Sequence, residues 1–128
     1  MILDTSAILA LVFDEPERDE FITKIATASS VGVGAPTLAE SAIVAAARLG
    51  DAGRRHVDGI AGRSGIVVIP FDATHWAVAA DAWARFGRGR HPAALNFGDC
   101  LAYATARVAD RPLLCKGDDF RQTDLQLA

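Results

Sequence analysis

The chain alternates short apolar runs with stretches whose apolar positions recur every three to four residues, and those two periods distinguish strands from helices. Met1-Ile2-Leu3 reads as a short buried strand ending at Asp4, with a helix from Ser6 to Phe13 after it. Asp14-Glu15-Pro16 marks a new start, because proline and acids suit a first helical turn, and Phe21, Ile22 and Ile25 then supply an apolar face up to about Ala28. Val31 to Ala35 is a second strand, whose glycines predict a close approach to its backbone. Pro36 opens a helix to Leu49, where Gly50 serves as a left-handed stop. Ala52 to Ser64 is a weaker helix, interrupted by Gly53, Gly59 and Gly62, and Ile66-Val67-Val68-Ile69, closed by Pro70, is the clearest strand. Asp72 caps a long helix to Phe86 that carries Trp76, Ala79 and Trp83 on one face. Asn96-Phe97-Gly98-Asp99 leads into a helix ending near Ala109, and Pro112 to Cys115 is the last strand. Strands parted by helices imply parallel pairing through right-handed crossovers, an α/β fold with helices on both faces of the sheet.

A chain of 128 residues is expected to form one domain, residues 1–128, with enough core to hold without staples. A hydrophobic share of 51% leaves no room for a long disordered arm. The apolar N-terminus lacks a basic leading segment and carries Asp4, so it does not read as a signal peptide. No apolar stretch reaches the ~20 residues that a membrane span needs, which predicts a soluble, cytoplasmic protein without membrane contact. Cys100 and Cys115 have no metal-type spacing and read as reduced core residues. Formal net charge is -3, which excludes coating nucleic acid by bulk charge. Any such contact must be local, and the segment from Arg85 to His91, with Arg88 and Arg90, is the strongest basic stretch. Its other reading is a solvated turn.

In an open parallel sheet, ligands collect beyond the carboxyl ends of the strands. Asp4 follows the first strand, Glu40 lies early in the helix after the second, Asp118 and Asp119 follow the last, and Asp99 opens a helix at the same edge. Each also has a local reading. Asp4 could cap the helix after it, Thr37-Leu38-Ala39-Glu40 has the capping-box pattern, Asp99 could oppose a helix dipole, and Asp118-Asp119 could form a turn. Joint placement at strand ends is what independent caps would not require. Carboxylates gathered together repel and pay desolvation, so they call for a cation. Oxygen ligands without histidine or cysteine point to Mg²⁺, with Mn²⁺ as substitute, and to hydrolysis of a phosphodiester.

Ile2-Leu3-Asp4-Thr5-Ser6-Ala7, the helix-borne Glu40, Asn96-Phe97-Gly98-Asp99-Cys100 and Lys116-Gly117-Asp118-Asp119-Phe120 together resemble PIN-domain toxins of the VapC group, in order over essentially the whole chain. The resemblance implies a PIN-like α/β/α sandwich with a mostly parallel sheet, and Mg²⁺-dependent endoribonuclease activity on structured RNA such as tRNA or ribosomal RNA. By position Asp4, Glu40 and Asp99 match the three most regular acids of the group, with Asp118 or Asp119 as the fourth. Ser6 matches a supporting polar residue and Asn96 a polar neighbour of the third acid. The resemblance further implies inhibition of translation, neutralisation by a VapB-like antitoxin lying across the acidic groove, and a homodimer. Arg85, Arg88, Arg90, His91 and Lys116 are candidates for RNA phosphate contacts at the rim. Trp76 and Trp83 suit a core or dimer surface better than base stacking, and His56 and His75 have no ligand spacing.

Three rival readings stand beside this one. A receiver-like phosphoacceptor domain would use Asp4, Asp72 and Lys116, but leaves Glu40 and Asp99 without a purpose. A haloacid-dehalogenase-type phosphatase needs an aspartate where Ser6 stands. A PIN-like binding module without catalysis would have no need of the full set of acids.

Overall fold

A computed structural model describes all residues, 1–128. Its elements in chain order are β1 (Ile2–Leu3), α1 (Thr5–Val12), α2 (Arg18–Thr27), β2 (Val31–Gly34), α3 (Ala35–Leu49), α4 (Asp51–Ala61), β3 (Ile66–Ile69), α5 (Ala73–Phe86), α6 (Phe97–Ala109) and β4 (Leu113–Leu114), then a 3-10 turn at Asp119–Gln122. The four strands pair in the order β3-β2-β1-β4, all parallel. From β1 the chain thus builds outward to one side through β2 and β3, and later to the other side through β4. That reversal leaves a crevice beyond the carboxyl ends of β1 and β4.

Alternation along the strands divides the core into two layers. Ile2 and Leu113 pack with α5 and α6 through Leu95, Tyr103 and Phe86. Leu3, Val33 and Leu114 face the opposite side and pack with α1 to α4 through Ile8, Phe21, Ala45 and Val57. Successive side chains of a strand point to opposite faces, so two residues suffice to pin β1 between two helical layers. The α/β/α sandwich expected from the sequence is the observed architecture.

The glycines of β2 do what their placement foretold. A methyl group on Gly34 would come within 2.7 Å of Thr105 Oγ1, so α6 lies directly on that strand. Gly53 corrects the expectation of an interrupted helix: α4 runs unbroken, and a Cβ there would meet the Ala45 carbonyl oxygen at 2.2 Å. The glycine is where α3 and α4 touch, and its lack of a side chain is a packing requirement rather than a break. Gly50, with φ of 61°, ends α3 as anticipated.

β3, the clearest strand by pattern, lies at the sheet edge, with Val67 and Val68 largely exposed. The outer side of β4 is covered by the chain's last residues, since Leu113 N–H donates to the Gln126 carbonyl and Ala128 N–H donates to the Leu113 carbonyl. No helix is long and apolar enough to cross a membrane.

A candidate active site of converging carboxylates

Asp4 ends β1, and its N–H continues the ladder to the Leu114 carbonyl at 3.0 Å. Its side chain, only 4% exposed, caps α1 by accepting from Ser6 N–H (3.0 Å) and Ser6 Oγ–H (2.5 Å), both at Oδ2. Ser6 Oγ in turn accepts from Lys116 N–H at 2.9 Å, which ties the segment after β4 to the end of β1. The local capping reading of Asp4 is therefore correct and does not compete with a site role.

Glu40 differs, because the capping box suggested by Thr37-Leu38-Ala39-Glu40 does not form. α3 starts two residues before Thr37, at Ala35, with Gly34 as its N-cap and Pro36 in the first turn. Thr37 is buried inside the helix, and its carbonyl accepts from Ser41 Oγ–H. Glu40 instead reaches across to β1's end, where Thr5 Oγ1–H donates to its Oε2 at 2.7 Å. Its carboxylate lies against the first turn of α6: a Cβ on Gly98 would fall 2.5 Å from both Glu40 oxygens.

Asp99 sits one residue further along that turn. Asn96 Oδ1 accepts from Asp99 N–H (3.0 Å), and Asp99 Oδ2 accepts from Asn96 N–H (2.7 Å), a reciprocal capping box. Burial pushes the Asp99 carboxyl up to about 6, the Asn96 bond opposes the rise, and the Asp4, Asp119 and Glu40 carboxylates add to it. Asp4 is likewise raised, by burial first, against the Ser6 bonds and with Glu40 contributing. The Cys115 thiol is pushed to about 12 by burial and then by Asp4, with smaller contributions from Asp119 and Asp99. The geometry agrees with these mutual influences, since the Thr5–Glu40 bond and the approach of Glu40 to Gly98 bring the turns of Asp4 and Asp99 beside α3.

The Asp118-Asp119 alternative divides cleanly in space. Both are exposed, but Asp119 is the member that raises Asp99, whereas Asp118 pairs with Arg121 at 3.1 Å. Of the two alternatives the sequence leaves open, Asp119 is thus the one whose charge bears on Asp99, and Asp118 is turned to Arg121. The pairing is favoured because Arg121 lies three residues on, within a short helical turn.

The basic candidates scatter. Arg85 binds Asp124 (2.9 Å), which also accepts from Tyr103 Oη–H (2.6 Å), so this arginine fastens α5 to the C-terminal segment. Lys116 Nζ is held between Glu15 (2.9 Å) and Glu17 (3.0 Å) at the turn into α2. Arg88 and Arg90 are exposed and form no ion pair. His91 Nδ1 accepts from Ala93 N–H, and its ring meets Phe86 edge-on, a structural use. Trp76 and Trp83 are exposed beside Phe97, lining a groove of about 590 Å³ in which all eight lining residues are apolar.

The receiver reading loses its parts here. Asp72 is the N-cap of α5, where it accepts from Thr74 N–H and pairs with His75, and Lys116 is occupied by two glutamates.

As the side chains stand, no three acids close around a single point in the manner of a finished metal cage. The donor chemistry nonetheless fits a hard divalent ion. Asp4, Glu40 and Asp99 are oxygen donors with only one oxygen each engaged by Ser6, Thr5 and Asn96, and Mg²⁺ commonly takes one or two carboxylates and keeps water in its other positions.

Sequence reasoning missed Thr5 and Gly98, whose partner Glu40 is 35 residues from the former. A hydroxyl directly after the first acid was a visible cue, but no periodicity links it to the middle of α3.

This fold, a parallel sheet with carboxylates beyond the ends of its strands, is that of a PIN domain, and the PIN domain model matches residues 1–125. The chain belongs to the PIN-domain family and stands among its VapC ribonucleases. It is 46% identical over 127 residues to Ribonuclease VapC36 of Mycobacterium tuberculosis, covering 98% of this chain and 91% of that protein. It is 38% identical over 125 residues to Ribonuclease VapC of Mycolicibacterium smegmatis, covering 98% and 97%. Among solved structures it resembles M. tuberculosis VapC20, a sarcin-ricin loop cleaving toxin, with a TM-score of 0.82 at 16% identity, covering 99% of this chain and 97% of that one. It also resembles VapBC2 from Rickettsia felis bound to a promoter DNA fragment, with a TM-score of 0.75 at 15% identity and coverage of 99% and 96%. The last two likenesses concern the fold.

Proposed function

We propose that this protein is a Mg²⁺-dependent endoribonuclease, the toxin of a type II toxin–antitoxin pair, which cuts structured RNA such as tRNA or ribosomal RNA and thereby stops translation. The observation that supports this reading is the placement of three acids on adjoining turns: Thr5, next to Asp4, donates to Glu40 at 2.7 Å, and the Glu40 carboxylate lies against Gly98, next to Asp99. Protein stability alone gives no reason to gather them.

Asp4, Glu40 and Asp99 would hold Mg²⁺, with Asp119 at the edge, and Mn²⁺ would substitute. The ion would supply activated water and charge stabilisation at the phosphate. The chain's own residues do the remaining work. Ser6 and Asn96 fix the orientation of Asp4 and Asp99, and the buried floor beneath Asp4 limits water. Arg88 and Arg90, exposed and unpaired, position the RNA backbone. Arg85 and Lys116 would first have to leave Asp124 and the Glu15–Glu17 pair.

Two partners complete the reading. A VapB-like antitoxin would lay a basic tail over the acidic pocket, a favourable charge match. A second copy would pair through the apolar α5–α6 groove, which adjoins the acids at Phe97 and Cys100 and so would set two pockets along one RNA path.

The test is incubation of purified protein with cellular RNA in Mg²⁺, Mn²⁺ or chelator, with mapping of the new RNA ends. Internal cuts that need either ion are expected. Cutting undiminished by chelator would remove the metal from the mechanism. Absence of cutting with both ions would favour the non-catalytic binding module.

A further inference from the structure

We propose that Thr5 is a positioning residue for Glu40, and that Gly98 completes the seat in which Thr5 holds it. The inference rests on the ribonuclease reading and deepens it. Asp4 and Asp99 are each fixed from within their own helix start: Asp4 by Ser6, two residues on, and Asp99 by the amide of Asn96, three residues back. Glu40 has no such local support. It lies in the second turn of α3, the backbone amides around it are committed to the helix, and no cap bond from α3 reaches it. A glutamate carries three side-chain torsions, so without a partner it would sample several rotamers and spend little time beside the other acids.

Two features from other elements remove that freedom. Thr5 Oγ1–H donates to Glu40 Oε2 at 2.7 Å, from the residue directly after Asp4. The missing side chain at Gly98 opens the space the carboxylate occupies, with both oxygens 2.5 Å from where a Cβ would stand. Asp4, Thr5, Gly98 and Asp99 are neighbours in two short segments. The same two backbone turns that carry the first and third acids therefore also set the second. Groups that orient ligands from outside the ligand set typically influence metal affinity or activity by about 10- to 100-fold.

The experiment compares wild type with Thr5→Val, which keeps the shape and loses the donor, and Thr5→Ser, which keeps the donor. Each is measured for RNA cleavage, for Mn²⁺ affinity by calorimetry without RNA, and for Tm. The expected result is a fall of about 10-fold or more in Mn²⁺ affinity and cleavage for Thr5→Val, recovery in Thr5→Ser, and an unchanged Tm in both. Gly98→Ala should lower Mn²⁺ affinity as well. In a Glu40→Gln background Thr5→Val should add little further loss of Mn²⁺ affinity, because the group it steers is gone. Wild-type Mn²⁺ affinity and cleavage in Thr5→Val, or an equal loss in Thr5→Ser, would overturn the role of Thr5. A wild-type protein that neither binds Mn²⁺ nor cuts RNA would instead overturn the ribonuclease reading itself, a separate and recognisable outcome.

Discussion

Helices α5 and α6 begin with the same local device, and the two starts have opposite chemistry. Asp72 caps α5 in a box closed by His75, and Asn96 caps α6 in a box closed by Asp99. At α5 the carboxylate is exposed, and its hydrogen bonding with His75 and with Thr74 N–H holds it below the usual range. At α6 the carboxylate is half-buried and raised to about 6, with Asp4, Asp119 and Glu40 around it. A capping motif therefore orients a carboxylate without deciding its acidity or its use. The position of the helix start relative to the sheet decides both: α6 opens at the crevice between β1 and β4, and α5 follows the edge strand β3.

The comparison breaks most decisively at the two aspartates. Asp99→Asn keeps the volume and removes the charge, and it should lower RNA cleavage by more than about 100-fold, beyond the loss typical of groups outside a ligand set. Circular dichroism should show the fold retained. Asp4→Asn should behave alike, and full cleavage by either variant would leave the pocket without a catalytic role.

A second effect concerns pH. Asp99 titrates near 6 in the folded, metal-free protein against an ordinary value of 3.8, so across that window the folded state binds more protons than the unfolded one. Stability then falls as pH rises from about 3.8 to about 6. Urea midpoints across this range should show the decline, and Asp99→Asn should flatten it. An identical slope in the variant would mean that the other acids carry it.

Arg88→Ala tests the rim, with a smaller expected change. It should weaken RNA binding several-fold and reduce the slope of log affinity against log salt by about 1. An unaltered slope, measured by filter binding at several salt concentrations, would take Arg88 out of the interface. The smallest effect on function belongs to Asp72→Ala. Cleavage should stay at the wild-type level while Tm drops by a few degrees through loss of the cap, and any large fall in cleavage would erase the contrast between the two helix starts.

Much of this was readable before the fold was known, for identifiable reasons. Short apolar runs ending at Asp4 and before Lys116 locate strand ends, and strand ends in a parallel sheet locate the pocket. What could not be read were relations set by three-dimensional proximity. Thr37 and Glu40 have the spacing of a cap, yet α3 takes Gly34 rather than Thr37 as its N-cap and so starts too early for one to form. Asp118 and Asp119 are equivalent in sequence, yet Asp118 pairs with Arg121 while the charge of Asp119 bears on Asp99. Arg85 and Lys116 were expected at the rim as free cations, but their acidic partners lie 39 and 101 residues away for Asp124 and Glu15. β3 shows that an all-apolar run does not tell a central strand from an edge one, since Val67 and Val68 remain largely exposed.

The tail stitched along β4 has a consequence for how the molecule meets others of its kind. With Gln126 and Ala128 occupying the Leu113 peptide groups, one margin of the sheet is already closed to strand addition. The opposite margin, at β3, keeps its outward peptide groups beside two exposed valines. Sheet growth, and with it the risk of ordered aggregation, is thereby confined to a single four-residue frontier. A lysine in place of Val67 would guard that frontier without touching the chemistry at the other end of the strands.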